Sequence, residues 1–102
     1  MKYSRFEDLP VWQPAIDLKL DLDELCEHAL VRQRRNWIDQ LDRASLSISN
    51  NIAEGFERGT TNELLMFLYI ARGSAGEVRS MLRYLHESLD RQQSRAPPRV
   101  TI

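Results

Sequence analysis

Two histidines, one cysteine and a run of serines are the residue types from which this chain could build nucleophilic or metal chemistry. The run is Arg43-Ala44-Ser45-Leu46-Ser47-Ile48-Ser49-Asn50-Asn51. A nucleophilic serine needs a base within hydrogen-bond reach, and His28 and His86 both lie outside the run with no evident dyad. The hydroxyls read instead as small groups at helix crossings, with Ser45 and Ser49 facing neighbouring helices. The di-iron bundle signature puts Glu three residues before His, but Leu25 and Arg83 hold those positions. Glu24 and His28 stand one helical turn apart and read as a surface pair. Cys26 has no second thiol with which to bind zinc. Neither GxxxxGK[ST] nor GxGxxG occurs. The expectation is a protein that is not an enzyme, with no catalytic residue, metal, cofactor or small-molecule substrate.

Charge suggests a different role. The 102 residues carry 14 basic and 15 acidic side chains, too balanced for a surface that coats nucleic acid throughout. The distribution is uneven, because residues 1–31 hold three basic and seven acidic groups. Twelve of the basic residues are arginines, which suit bidentate contacts to phosphate or carboxylate. Arg32, Arg34 and Arg35 fall in one loop, and Arg79 and Arg83 fall toward the end of the last helix. These five form the candidate nucleic-acid site. With no aromatics interleaved among them, phosphate contact is expected rather than base stacking.

Three amphipathic segments must position these groups. In the first, about residues 8–30, Val11, Ala15, Leu18, Leu22, Leu25 and Ala29 form one helical stripe. Asp8 is the expected N-cap. The second runs from about 37 to 58, opened by Asn36 with Asp39 and closed by Gly59 as a C′ residue. The third runs from about 60 to 90. Thr60 and Glu63 fit a capping box, and Leu64, Leu68, Ala71, Ala75, Val78, Leu82, Leu85 and Leu89 keep a heptad spacing. The short connection at Gly59 makes the last two helices antiparallel neighbours. That register predicts an Arg43–Glu77 contact, and i,i+4 spacing allows Glu54–Arg58 and Asp39–Arg43 pairs. The small residues Gly73-Ser74-Ala75-Gly76 are expected to let another helix approach closely.

The fold class is therefore all-α, an antiparallel up-and-down bundle. Residues 1–90 form the bundle domain, and 91–102 form a Pro/Arg-containing tail expected to be disordered. The third helix is expected to overhang the second. Leu64–Ala71 is apolar on every face, and a helix of that kind is surrounded. Leu65, Met66, Phe67, Tyr69, Leu85 and Leu89 are thus the candidate surface for a homo-oligomer. That apolar run is eight residues, against about 20 for a membrane span, so no membrane association is expected. The single cysteine and the absence of an apolar run in Met1–Pro10 point to the cytoplasm.

Four blocks then occur in order: Phe6-x-x-Leu9-x-Val11-Trp12; Gln40-Leu41-x-Arg43-Ala44-Ser45-x-Ser47-Ile48; Asn51-Ile52-Ala53-Glu54-Gly55-Phe56-x-Arg58; and Phe67-Leu68-x-Ile70-Ala71-Arg72-Gly73-Ser74-Ala75-x-Glu77. Together they resemble the bacterial four-helix bundle family that includes proteins encoded in intervening sequences of 23S ribosomal RNA. The pattern is also similar to the accessory variability determinant of diversity-generating retroelements. The resemblance implies a ring-shaped homopentamer that binds RNA, DNA or a reverse transcriptase. It carries no catalytic residues and implies structural roles for Arg43, Asn51, Glu54, Arg58, Arg72 and Glu77. The family's fourth helix is expected to be missing or truncated here, because few residues follow Asp90 and Pro97-Pro98 break a helix. The combined expectation is a non-enzymatic oligomeric accessory factor associated with nucleic acid or a reverse transcriptase. The alternative is a protein-interaction module that binds no nucleic acid.

Overall fold

A computed structural model describes residues 2–94. A 3₁₀ turn, Phe6–Asp8, precedes three helices: α1 (Trp12–Cys26), α2 (Arg35–Glu57) and α3 (Thr61–Ser94). The chain is all-α, as its periodicity requires. Helix α3 extends four residues past its expected end, and the remainder of the expected disordered tail lies outside the described residues.

Helix α2 is the centre of the fold. Leu41, Ala44, Ser45, Ile48, Ser49, Ile52 and Gly55 are all buried along it, at spacings that keep one face inward. It runs antiparallel to α1 on one side and to α3 on the other. Gly59 turns the chain at φ 90°, a left-handed conformation that glycine adopts without steric cost. Thr60 then caps α3: its hydroxyl accepts the Glu63 N–H at 3.2 Å and donates to the Glu63 carboxylate at 3.0 Å. Glu54 and Arg58 pair at 3.1 Å, and the Arg58 guanidinium lies 5.1 Å from the centre of the Phe67 ring. This clasp fastens the α2–α3 corner.

The other helix ends differ from expectation. Asp8 does not cap α1, because it is taken into the 3₁₀ turn that seats Leu9 in the core and sets Phe6 edge-on to Trp12 at 5.3 Å. Helix α1 ends at Cys26 rather than near Leu30. Turns then carry the chain to Arg34 around Val31, which is 1% exposed. Helix α2 consequently begins at Arg35 without a side-chain cap, and Asn36 falls inside it.

Lys19 ties α1 to α2. Its side chain is 12% exposed and pairs with Asp23 on its own helix and with Asp42 on α2 at 2.6 Å. Burial opposes its charge, but hydrogen bonds and attraction from the two aspartates outweigh that, so its pKa lies above 10.5. A raised folded pKa makes the contribution complete below 10.5 and lost as pH climbs through the higher folded value. The stability advantage over Lys19→Met should therefore hold from about pH 7 to 10 and shrink above about 10.5. Urea titrations across that range would read it, and an advantage that does not shrink would mean the charge contributes nothing.

Helices α1 and α3 nowhere approach within 8 Å between Cα atoms among the described residues. The heptad positions of α3 split accordingly. Leu64, Ala71, Val78 and Leu85 are buried on α2, whereas Leu68, Ala75, Leu82 and Leu89 are only half-buried. On α1, likewise, Ala15 and Leu22 are buried while Leu18 and Leu25 are half-buried and Val11 is 48% exposed. Val11, Leu18, Leu68 and Ala75 of these rows line an open apolar groove whose floor is Ile48 and Ile52 of α2. The Cα radius of gyration, 16.9 Å against about 13 Å for a compact domain of 100 residues, reflects this open, elongated arrangement.

Candidate nucleic-acid interface

The arginines occupy two sites, one in the α1–α2 loop and one on α3. In the α1–α2 loop, Arg32 is exposed and Arg35, at the first turn of α2, is exposed as well. Arg34 is half-buried and reaches Gln92 of α3 at 3.5 Å. The loop thus lies beside the last turns of α3, the end-to-end meeting that an antiparallel fold demands. Arg79 and Arg83 stand one turn apart farther back on α3. Nine residues separate Arg83 from Gln92, about 14 Å along the axis and half a turn around it, so the five arginines form two basic patches rather than one pocket.

Gly76, Arg79, Ser80, Arg83, Tyr84 and Glu87 surround a shallow hollow on the outer surface of α3. Their offsets of three, four, seven, eight and eleven place them on one helical face. The hollow opens over Gly76, where nothing would lie within 4 Å of a Cβ. Tyr84, 59% exposed, corrects the expectation that no aromatic accompanies these arginines. The signal was present as a tyrosine directly after Arg83. Arg83 is partly neutralised by Glu87 at 2.8 Å, whereas Arg79 has no ion pair among the described residues. Two guanidinium groups, a hydroxyl and a phenol on one face can hold phosphate oxygens and offer one ring for stacking.

The six polar residues thought structural divide. Glu54 and Arg58 form the corner clasp. Asn51 donates to the Ser47 carbonyl at 2.7 Å and to the Ser47 hydroxyl at 2.9 Å, and the Ser74 hydroxyl meets Ser47 from α3 at 2.8 Å. Arg43 and Glu77, expected in contact, form no ion pair with each other. Both residues line one hollow, but the Ser47–Ser74 bond bridges the helices there. The Asp39–Arg43 pair is likewise absent, and Arg72 is exposed without an ion pair. Ser45 and Ser49 are buried and bond carbonyls one turn back, on Asp42 and Leu46, so their hydroxyls satisfy their own helix.

Of the candidate oligomer residues, Leu65, Met66 and Tyr69 are 47%, 66% and 68% exposed, and Ile70 joins them at 51%. Leu85 is buried within the chain at 5%, so it is unavailable as an interface residue. The start of α2 at Arg35 comes opposite it, although α3, 34 residues against 23, still runs past α2. Phe67 is half-buried against Gly55, and Leu89 is half-buried. Gly73 and Gly76 face open space. Within the chain, the close helix approach occurs instead at Gly55.

Neither histidine approaches the serines: the His28 Nδ1 accepts the Leu30 N–H at 3.1 Å, and His86 faces Asp90 at 3.4 Å. Among the described residues no three His, Cys, Asp or Glu side chains converge as a metal site. Cys26 lines a hollow with Lys19 and Asp42, and burial, with Asp23 nearby, raises its thiol pKa. No helix among the described residues is long and apolar enough to cross a membrane.

The family model described as 23S rRNA-intervening sequence protein matches residues 7–94. No curated protein and no solved structure matches the chain.

Proposed function

From the premise that this chain belongs to the 23S rRNA-intervening sequence protein family, we propose that it is a non-enzymatic accessory factor that self-associates and binds RNA through its two arginine patches. The observation that carries this reading is the Arg79–Arg83–Tyr84 face, with the arginine loop held at the same end of the chain by Arg34–Gln92. A reverse transcriptase is the further partner implied by the similarity to the retroelement determinant. Self-association is supported by the exposed α3 stripe of Leu65, Met66, Tyr69 and Ile70, whose apolar area gains from leaving water.

The test is binding of a structured RNA over a range of salt concentrations. Each phosphate contact contributes about 0.7–0.9 to the slope of log affinity against log salt. Arg32/Arg34/Arg35→Ala should lower that slope by about 2 and weaken binding at least tenfold at about 0.1 M salt. In the monomeric chain Arg79→Ala should cost more than Arg83→Ala, because Glu87 already holds Arg83. Affinity and slope unchanged in the triple variant would overturn the reading. The same exposed stripe favours a second reading, a protein-interaction module without nucleic acid. Its signature is a protein partner lost on Met66→Asp while RNA is ignored by every form of the chain.

A further inference from the structure

We propose that the groove between α1 and α3 is closed by a second copy of this chain, docked face to face about a two-fold axis that runs along the groove. The proposal rests on the self-association read above and gives it a surface and a geometry.

The groove is where the core is left unfinished. Half-buried Leu18 of α1 and half-buried Leu68 and Ala75 of α3 line it at core spacing, with Ile48 and Ile52 beneath. Val11 and Tyr69 extend the apolar surface outward.

The rims identify the occupant. Asp21 lies two turns beyond Pro14, which lines the α1 wall, and Arg79 lies two turns beyond Arg72, which lines the α3 wall. Both are exposed, and neither has an ion pair or side-chain hydrogen bond among the described residues. Helices α1 and α3 run parallel. Pro14 and Arg72 share one stretch of the groove, so Asp21 and Arg79 stand at one height on opposite walls, too far apart to meet within the chain.

A two-fold axis along the groove lays α1 of each copy on α3 of the other in the same direction. Asp21 then faces Arg79 of the second copy, and the reverse pair forms by symmetry. An axis across the groove would instead set α1 against α1 and α3 against α3, so that Asp21 and Arg79 no longer face each other. The polarity of the two rims selects the first arrangement, and the copy itself supplies both the apolar rows and the complementary charges.

The experiment is sedimentation of the full chain without RNA over a wide concentration range, with melting curves to confirm that each variant folds. The wild type is expected to populate a dimer or an even-numbered assembly. Val11→Asp, at a half-exposed position, should weaken association at least tenfold. Asp21→Arg and Arg79→Asp should each weaken it several-fold, and the double variant should restore it toward wild type. A wild-type chain that stays monomeric at every concentration overturns both this proposal and self-association. An assembly, such as a ring of five, that ignores Val11→Asp overturns the groove alone. So does a double variant no better than either single one.

Discussion

Gly55→Ala should lower the stability of this chain by about 1–3 kcal/mol, the cost of forcing a methyl into a filled core. An alanine Cβ at this position would stand 2.5 Å from the Phe67 Cβ and 3.4 Å from the Leu64 Cα. The first distance is to the root of a side chain, which cannot rotate away, so α2 and α3 would have to part. Helix propensity pulls the other way by about 1 kcal/mol, since alanine is the better helix former. The steric term wins because separation at Gly55 also loosens the buried contacts of Ile52 and Leu64 on either side. Gly73 supplies the internal control. It sits within α3 with nothing in reach of a Cβ, so Gly73→Ala should stabilise by about 0.5–1 kcal/mol. At about 4–8 °C per kcal/mol for a domain of this size, the two variants should melt on opposite sides of the wild type. A Gly55→Ala chain that melts at or above the wild-type temperature would mean the helices are not held at this distance.

That pair of glycines shows where the sequence was legible and where it was not. Period and capping are local, and they located α3 well: Thr60, Glu63 and Gly59 stand in their expected roles because each depends only on neighbours within four residues. The Glu54–Arg58 pair was readable for the same reason. Whatever depends on a neighbouring helix was read less well. Gly73 and Gly76 look like a close-approach motif by spacing, yet the approach occurs at Gly55, because rotation of α3 about its axis turns the other two outward. Arg43 and Glu77 do reach one hollow, but the smaller Ser47 and Ser74 approach more closely and bridge it. The first helix was drawn too long at both ends. Its apolar stripe continues through Ala29, while Leu9 and Val31 gain more from entering the core through turns than from extending a helix into solvent. Tyr84 escaped notice because it was weighed along the chain rather than around the helix, where Gly76, Arg79 and Ser80 are its neighbours.

Leu41→Ala should be the most damaging single truncation, at about 3–5 kcal/mol. Leu41 is 1% exposed, on the central helix, where it lines a hollow with Leu22 and Cys26 of α1. Removing its isobutyl group forfeits transfer free energy and leaves a void that straight helices close only in part. Ile48 lies two turns along the same face and loses a side chain of equal volume in the corresponding variant. It lines the floor of the open groove, however, so the space left by Ile48→Ala joins a surface depression that water already reaches. Its cost should therefore fall near about 2 kcal/mol in the dissociated chain. Urea unfolding with unchanged m-values would separate the two, and equal costs would mean the groove is not open. The pair also links stability to assembly. If a second copy roofs the groove, the Ile48→Ala void becomes enclosed in the assembled form and the variant weakens association. Its penalty should then grow with protein concentration, while that of Leu41→Ala, which lies outside this groove, stays constant.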